Sequence, residues 1–284
     1  MSVARPSLRW PVWSVLCLVV GAPLLRAQRL EAGIALGAAG GRYLFPRTVT
    51  STTLTGSLVL AADHWRVGVD LPVLRQNGGA VTWIAGLPMP VGTPVAALVA
   101  ARTGEETIPL GTTRRETHLG DPIVTAATDL VVTDDGSVRL GAEGFAKLPV
   151  AAREDGIGTG AADYGIGFNW SAMGNRTFAV ADFGYWWIHD LPTLPLDDLT
   201  RGTFVAGGSF GEMGRFVAMV RMDATSAITE QVDPRYTLGV GVGVNLARTE
   251  SLTLAVDRGL SETAPAWQTS LRWRHGVSAG GWGR

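Results

Sequence analysis

The sequence predicts an all-β chain: a transmembrane, antiparallel, up-and-down β-barrel of about twelve strands, preceded by a cleavable signal peptide. Three observations predict it. Short segments alternate polar and apolar residues along most of the chain, helical periodicity is nearly absent between them, and the N-terminus reads as an export signal. Residues 137–148 show the pattern: Ser137, Arg139, Glu143 and Lys147 point one way, with Gly141 and Phe145, while Val138, Leu140, Ala142, Ala146 and Leu148 point the other, with Gly144. Strand side chains alternate between faces, so this segment has one charged face and one oily face.

The export signal comes first. Arg5 and Arg9 form a positive n-region, residues 10–25 are apolar but interrupted by Pro11 and Pro23, and Leu25-Arg26-Ala27 is a cleavage site. Cys17 is the only cysteine, and bulky Leu16 before it argues against lipid attachment. The expected division is a signal peptide at 1–27, a barrel at 28–275 and a C-terminal tail at 276–284. A chain cut at that site has no thiol for disulfides or catalysis.

The predicted strands come in order. The first, 30–39, is mostly Ala and Gly; the second, 49–61, sets Thr53, Thr55 and Ser57 against Leu54, Leu58 and Leu60. The third, 64–74, sets His64, Arg66 and Asp70 against Trp65, Val67, Val69, Leu71 and Val73. The fourth, 121–133, sets Thr125 and Asp129 against Val124, Ala126, Leu130 and Val132. The fifth is 137–148, and the sixth, 163–170, turns Tyr164, Ile166, Phe168 and Trp170 outward with mainly Gly inward. The seventh, 176–189, opposes Phe183, Tyr185 and Trp187 to Asp182. The eighth is 203–210; the ninth, 215–224, alternates Arg215, Arg221 and Asp223 with Phe216, Val220 and Met222. The tenth, 235–246, places Leu238, Val240, Val242 and Val244 outward and Gly239, Gly241 and Gly243 inward. The eleventh is 251–257, and the twelfth, 267–275, alternates Trp267, Leu271 and Trp273 with Gln268, Arg272 and Arg274.

Connections and aromatics support this reading. Short turns (62–63, 134–136, 173–175, 211–214, 248–250), all but the last containing Gly, Asn or Asp, alternate with longer loops (75–120, 149–162, 190–201, 225–234, 258–265). Bacterial barrels have short periplasmic turns and long outer loops, which puts both ends of the barrel on the periplasmic side and favours an even strand number. On that topology Trp65, Trp170, Phe210, Phe216 and Trp273 fall at the periplasmic ends and Tyr164, Tyr185, Trp187, Tyr236 and Trp267 at the outer ends, two belts on the oily face.

Composition excludes other classes. Charged residues are 17%, glycines number 37 and the net charge is −1, which gives no nucleic-acid surface. No apolar run past the signal is long enough for a membrane helix. A soluble β-sandwich is the rival fold, but it leaves the oily faces uncovered.

Several motifs resemble a family of outer-membrane barrels known as transporters of the phenol meta-degradation pathway. They are Val69-Asp70-Leu71-Pro72, Leu119-Gly120-Asp121-Pro122, Lys147-Leu148-Pro149, and Asp155-Gly156-Ile157-Gly158-Thr159-Gly160 with Asp163-Tyr164. The order of the motifs carries the resemblance, over most of the chain. It implies an outer-membrane channel for hydrophobic or aromatic small molecules. Here the 75–120 loop is long, Val150-Ala151 replace a glycine after Lys-Leu-Pro, and residues follow the last strand's Trp273.

The inward face carries the candidate pore-lining residues Arg66, Asp70, Asp129, Arg139, Glu143, Lys147, Asp182, Arg215, Arg221, Asp223, Arg272 and Arg274. They either pair and fill a narrow lumen or line a pore and set its field. The 75–120 loop is apolar for a surface loop, and Trp83, Ile84, Leu87 and Met89 mark it as a candidate lid. Packing on the outer rim and contacts between chains are its other readings. His64, His118, His189 and His275 are scattered and form no nucleophile–base set, and Asp182 lies on the face opposite His189. No enzyme, metal site or cofactor is expected, and residues 156–160 lack the Lys and Ser/Thr of a phosphate loop.

The expectation is therefore a monomeric outer-membrane channel for passive diffusion of small molecules, with membrane lipid and the barrel-insertion machinery as partners and no nucleic acid. A structural or adhesion barrel with a plugged lumen is the alternative. The sequence leaves the solute open.

Overall fold

A computed structural model describes residues 29–44, 48–77, 81–90, 117–151, 157–191 and 195–278. The predicted signal peptide and the end of the tail lie outside the described residues. Twelve long strands form the wall: β1 (Arg29–Gly41), β2 (Val49–Ala61), β3 (Trp65–Gln76), β7 (Ile123–Val132), β8 (Val138–Lys147), β9 (Asp163–Met173), β10 (Thr177–Trp187), β11 (Leu199–Phe210), β12 (Phe216–Thr225), β13 (Arg235–Ala247), β14 (Glu250–Gly259) and β15 (Trp267–Ser278). Three short strands lie in the long connection after β3: β4 (Val81–Ile84), β5 (Leu87–Pro90) and β6 (Thr117–Leu119).

Each wall strand pairs antiparallel with its sequence neighbour, and β1 pairs with β15 from Arg29↔Ser278 to Gly40↔Trp267, so the sheet closes on itself. Closure leaves no edge strand, which is what a sheet in hydrocarbon requires because lipid offers no hydrogen-bond partners. The wall between β3 and β8 is made in two pieces: β6 pairs with the outer end of β3 at Val73↔Leu119, and β7 pairs with its lower half at Val69↔Val124. Gly120, Asp121 and Pro122 separate the pieces, and Pro122, which lacks an N–H, still offers its carbonyl to Leu148 N at 2.9 Å.

The outer surface is a continuous apolar band. Ile34, Leu54, Ile166, Phe183, Val240 and Leu254 are each about half exposed, a pattern that costs a soluble protein heavily and suits a lipid-facing one. Register places the predicted aromatics of both belts on this face, from Phe210↔Phe216 at the periplasmic end to Trp187↔Tyr164 at the outer end.

Boundaries differ from expectation in a few places. β11 begins at Leu199 and β15 runs on to Ser278, so Arg201 belongs to the wall and the first tail residues extend the last strand. A bulge between Asp129 and Val131 leaves Leu130 and Val131 both exposed outward and sets Val132 opposite Arg139. Val132 therefore faces the lumen, not the lipid as strict alternation implies, because one extra residue inverts the parity of the strand beyond it.

Candidate functional site

The site is the lumen and the structure that covers its outer mouth. β4 and β5 form a hairpin whose turn residues, Ala85 and Gly86, have φ of 49° and 76°, the left-handed pair of a tight hairpin turn. The turn sits inside the barrel: a Cβ on Gly86 would lie 2.8 Å from Cδ1 of Ile123, an inward residue of β7. Ile84, Ala85 and Met89 are buried against Trp186, Ile188, Leu191, Leu196, Leu199, Ile228 and Val232, which come from the β10–β11 and β12–β13 connections and the adjoining strand ends. Burying side chains of this size contributes roughly 1.5–3 kcal/mol each, so the apolar residues suffice to hold the hairpin in.

Polar contacts fix its position. Trp83 N donates to Ile157 O at 2.9 Å, and Gln76 Nε2 donates to Val81 O at 2.7 Å. Val81 packs on Tyr43 and Val49, tying the hairpin to the β1–β2 loop. Burial pushes the Tyr43 hydroxyl up to about 12, with Arg235 pulling the other way, so Tyr43 is neutral at physiological pH. Of the predicted lid residues, Ile84 and Met89 lie in the main apolar cluster and Leu87 packs against it. Trp83 turns to the opposite side, against Leu74, Ala151 and Ile157.

Beneath the hairpin lies a cavity of ≈ 260 Å³. Apolar residues of β3, β4 and β7 line it together with Thr53, Thr55, Asp70, Arg201 and Arg272. Lower down, charges pair within a strand and across the inner wall. Arg221 Nε is 2.6 Å from Asp223 Oδ2, Arg139 Nη1 is 2.9 Å from Asp129 Oδ2, and Arg66 is 3.9 Å from Glu143. Glycines admit these side chains. A Cβ on Gly167 would lie 3.2 Å from Glu143 Oε1, and Gly165 and Gly184 leave room for Phe145, which stacks on Trp186 with ring centroids 5.0 Å apart.

Lys147 has a different setting. Its ammonium lies 2.8 Å from Asp163 and 3.2 Å from Asp121, and it donates to Thr159 Oγ1 at 2.6 Å. Asp121 also accepts from Val150 N and Ala151 N at 2.9 and 2.8 Å, and Asp163 accepts from His189 N at 3.1 Å. Lys147 faces inward as the alternation predicts, yet only 1% of its side chain is exposed, so it is a clasp joining two strands, the break between β6 and β7, and the β8–β9 connection. The charges compensate each other in a way that tolerates burial only while every partner is present.

The remaining predicted residues are distributed along the tube. Arg66, Asp70, Glu143, Asp182, Arg221, Asp223 and Arg272 share the inward face at middle depth, and Asp129, Arg139 and Arg274 lie toward the periplasmic end, Arg274 3.8 Å from Glu31. Arg215 stands apart: it precedes β12, and its guanidinium carbon lies 5.9 Å over the ring of outward-facing Phe216, at the rim. Sequence reasoning missed Arg201, Asp257, Arg235 and Trp186 as inward residues. Parity held the signal, since Arg201 is in phase with Thr203 and Asp257 with Thr253.

Two solved structures share this architecture. An outer-membrane channel from Pseudomonas putida F1 superposes with a TM-score of 0.61 at 12% identity, covering 88% of this chain and 96% of that one. The NanC porin superposes with a TM-score of 0.52 at 9% identity, covering 87% and 98%. No family model and no curated protein matches the sequence. The chain is a closed transmembrane β-barrel. Closure, the lipid-facing band and the two aromatic belts make the same assignment on physical grounds.

Proposed function

We propose that this barrel is a monomeric channel for passive diffusion of small molecules across the outer membrane, with the β4–β5 hairpin as the element that restricts its outer mouth. The observation that carries the reading is a closed wall around a charged interior, with an apolar hairpin folded inside it. The solved relatives in fold are described as a channel and a porin, and the motif resemblance favours hydrophobic or aromatic solutes. The pore-lining set is then Arg66, Asp70, Glu143, Asp182, Arg221, Asp223 and Arg272, joined by Arg201 and Asp257.

The mechanism comes from the layering. A solute meets the hairpin first, whose cluster of Ile84, Met89, Trp186 and Leu199 is closed to water and must part to admit it. Below, fixed charges replace its hydration and set the sign and size of what passes. Single-channel recording of the refolded barrel in a planar bilayer tests this. Discrete conductance that rises when residues 81–90 are replaced by a short Gly-Ser linker is the expected result. An inserted barrel silent in both forms would leave a plugged, structural barrel as the reading.

A further inference from the structure

We propose that the cavity beneath the hairpin is a binding site for a small monocarboxylic acid with an apolar body, its carboxylate held by Arg201 and Arg272. The inference rests on the channel reading for its biological sense, since it assigns a solute class to that lumen, but the binding itself is testable separately.

Size is the first argument. The cavity measures ≈ 260 Å³. An apolar cavity of roughly 150 Å³ already admits benzene, so a ring bearing one polar substituent fits here. The chemistry of the lining is the second. Pro72, Leu74, Trp83, Ala85 and Ile123 give the lining its apolar surface, Thr53 and Thr55 stand beside Leu74 and Pro72 on the neighbouring strand, and Arg201 and Arg272 bring positive charge. A ligand that satisfies this lining has an oily body and one polar end.

Hydrogen-bond accounting decides which polar end. The acids at this wall are already engaged. Asp70 accepts from Ser57 Oγ at 2.5 Å, and Asp121 is taken up by Lys147 and by the amides of Val150 and Ala151. The donors are not. Among the described residues Arg272 has no acid within salt-bridge distance. Arg201 reaches Asp223 only at 3.8 Å, and Asp223 is already held by Arg221 at 2.6 Å. The indole N–H of Trp83 is buried without an acceptor among the described residues. The wall thus offers donors in excess, and the missing partner is an acceptor. A carboxylate supplies two oxygens in one plane, which matches the guanidinium fork. Asp70 lines the same cavity, so a ligand with one negative charge is repelled less than one with two.

The test is isothermal titration calorimetry on the refolded full-length barrel in detergent, with folding checked by heat-modifiable gel mobility. The probes are sodium benzoate, benzylamine of similar shape and opposite charge, and inorganic phosphate. Benzoate is expected to bind saturably and the other two not. Arg272→Gln weakens benzoate about tenfold, as loss of a charge-assisted hydrogen bond does. Arg272→Lys falls between, and Trp83→Phe weakens it less while keeping the ring. Benzylamine or phosphate binding as well as benzoate, benzoate affinity unchanged in Arg201→Gln/Arg272→Gln, or no binding by any probe would each overturn the proposal. Liposome swelling with the same solutes separates the two readings. Benzoate that binds but does not permeate leaves the site standing and removes the channel. Swelling with benzoate and benzylamine at equal rates and no calorimetric binding does the reverse.

Discussion

Replacing Ile84 by Ala probes the hairpin without touching the wall. Ile84 is fully buried, at 0% exposure, among Trp186, Ile188, Leu191 and Leu199. Large-to-small changes at such sites cost roughly 2–5 kcal/mol, and about 3 kcal/mol is the central expectation. The hairpin pairs only with itself, β4 with β5, and contributes nothing to the wall ladder. The loss therefore falls on the equilibrium between docked and undocked hairpin, not on the barrel. At about 1.4 kcal/mol per factor of ten, the docked form loses roughly a hundredfold of its advantage. Single-channel recording reads this as shortened closed dwells and greater open probability. The temperature at which the barrel loses its heat-modifiable gel mobility should stay constant. Unchanged dwells in a folded variant, or a barrel that melts earlier by the full amount, would refute the separation of hairpin from wall.

Other substitutions have equally definite outcomes. Lys147→Met leaves Asp121 and Asp163 buried without their cation and should cost about 3–5 kcal/mol in urea unfolding of the barrel, whereas Arg139→Met, whose partner pair is half open to water, should cost about 1 kcal/mol or less. Val240→Arg puts a charge on the lipid face at mid-height and should reduce folding stability in lipid vesicles by about 2–4 kcal/mol, an effect a water-exposed sheet would not show. In the turn between β7 and β8, the Ser137 amide and the Thr133 hydroxyl hold the Asp135 carboxyl down to about 2. Because the folded value lies below the ordinary 3.8 of an aspartate, its contribution is present above about pH 4 and lost as pH falls toward 2; carboxyl titration by NMR should show this, with Asp135→Ala abolishing it.

The wall is legible in the sequence because its chemistry repeats every two residues. From Arg139 to Lys147, and again from Tyr236 to Val244, lipid on one side and water on the other force strict alternation, and register comes with it. Alternation is blind to anything set by contacts distant in sequence. The bulge at Asp129 and Val131 leaves no local mark, so alternation alone puts Val132 on the wrong face. Lys147 has the parity of a pore residue, and only the arrival of Asp121 from the break between β6 and β7 and of Asp163 from β9 buries it. The apolar character of Trp83, Ile84, Leu87 and Met89 marks the lid candidates, but Pro88 and Pro90 hide the second strand of their hairpin. They are tolerated there because β5 pairs on one side only.

The junction at the outer end of β3 has a consequence for how such a protein diversifies. Arg75 and Thr117 are register partners, so the chain leaves and re-enters the barrel at a single point, zipped shut by β6. The β4–β5 hairpin beyond that neck is a cassette. Its length and composition can change without the pairs between β3 and β6 being renegotiated, because loop closure is already fixed by them. One scaffold can thereby carry interchangeable stoppers, and a segment from 78 to 116 transplanted between barrels with the same neck should carry its permeability with it.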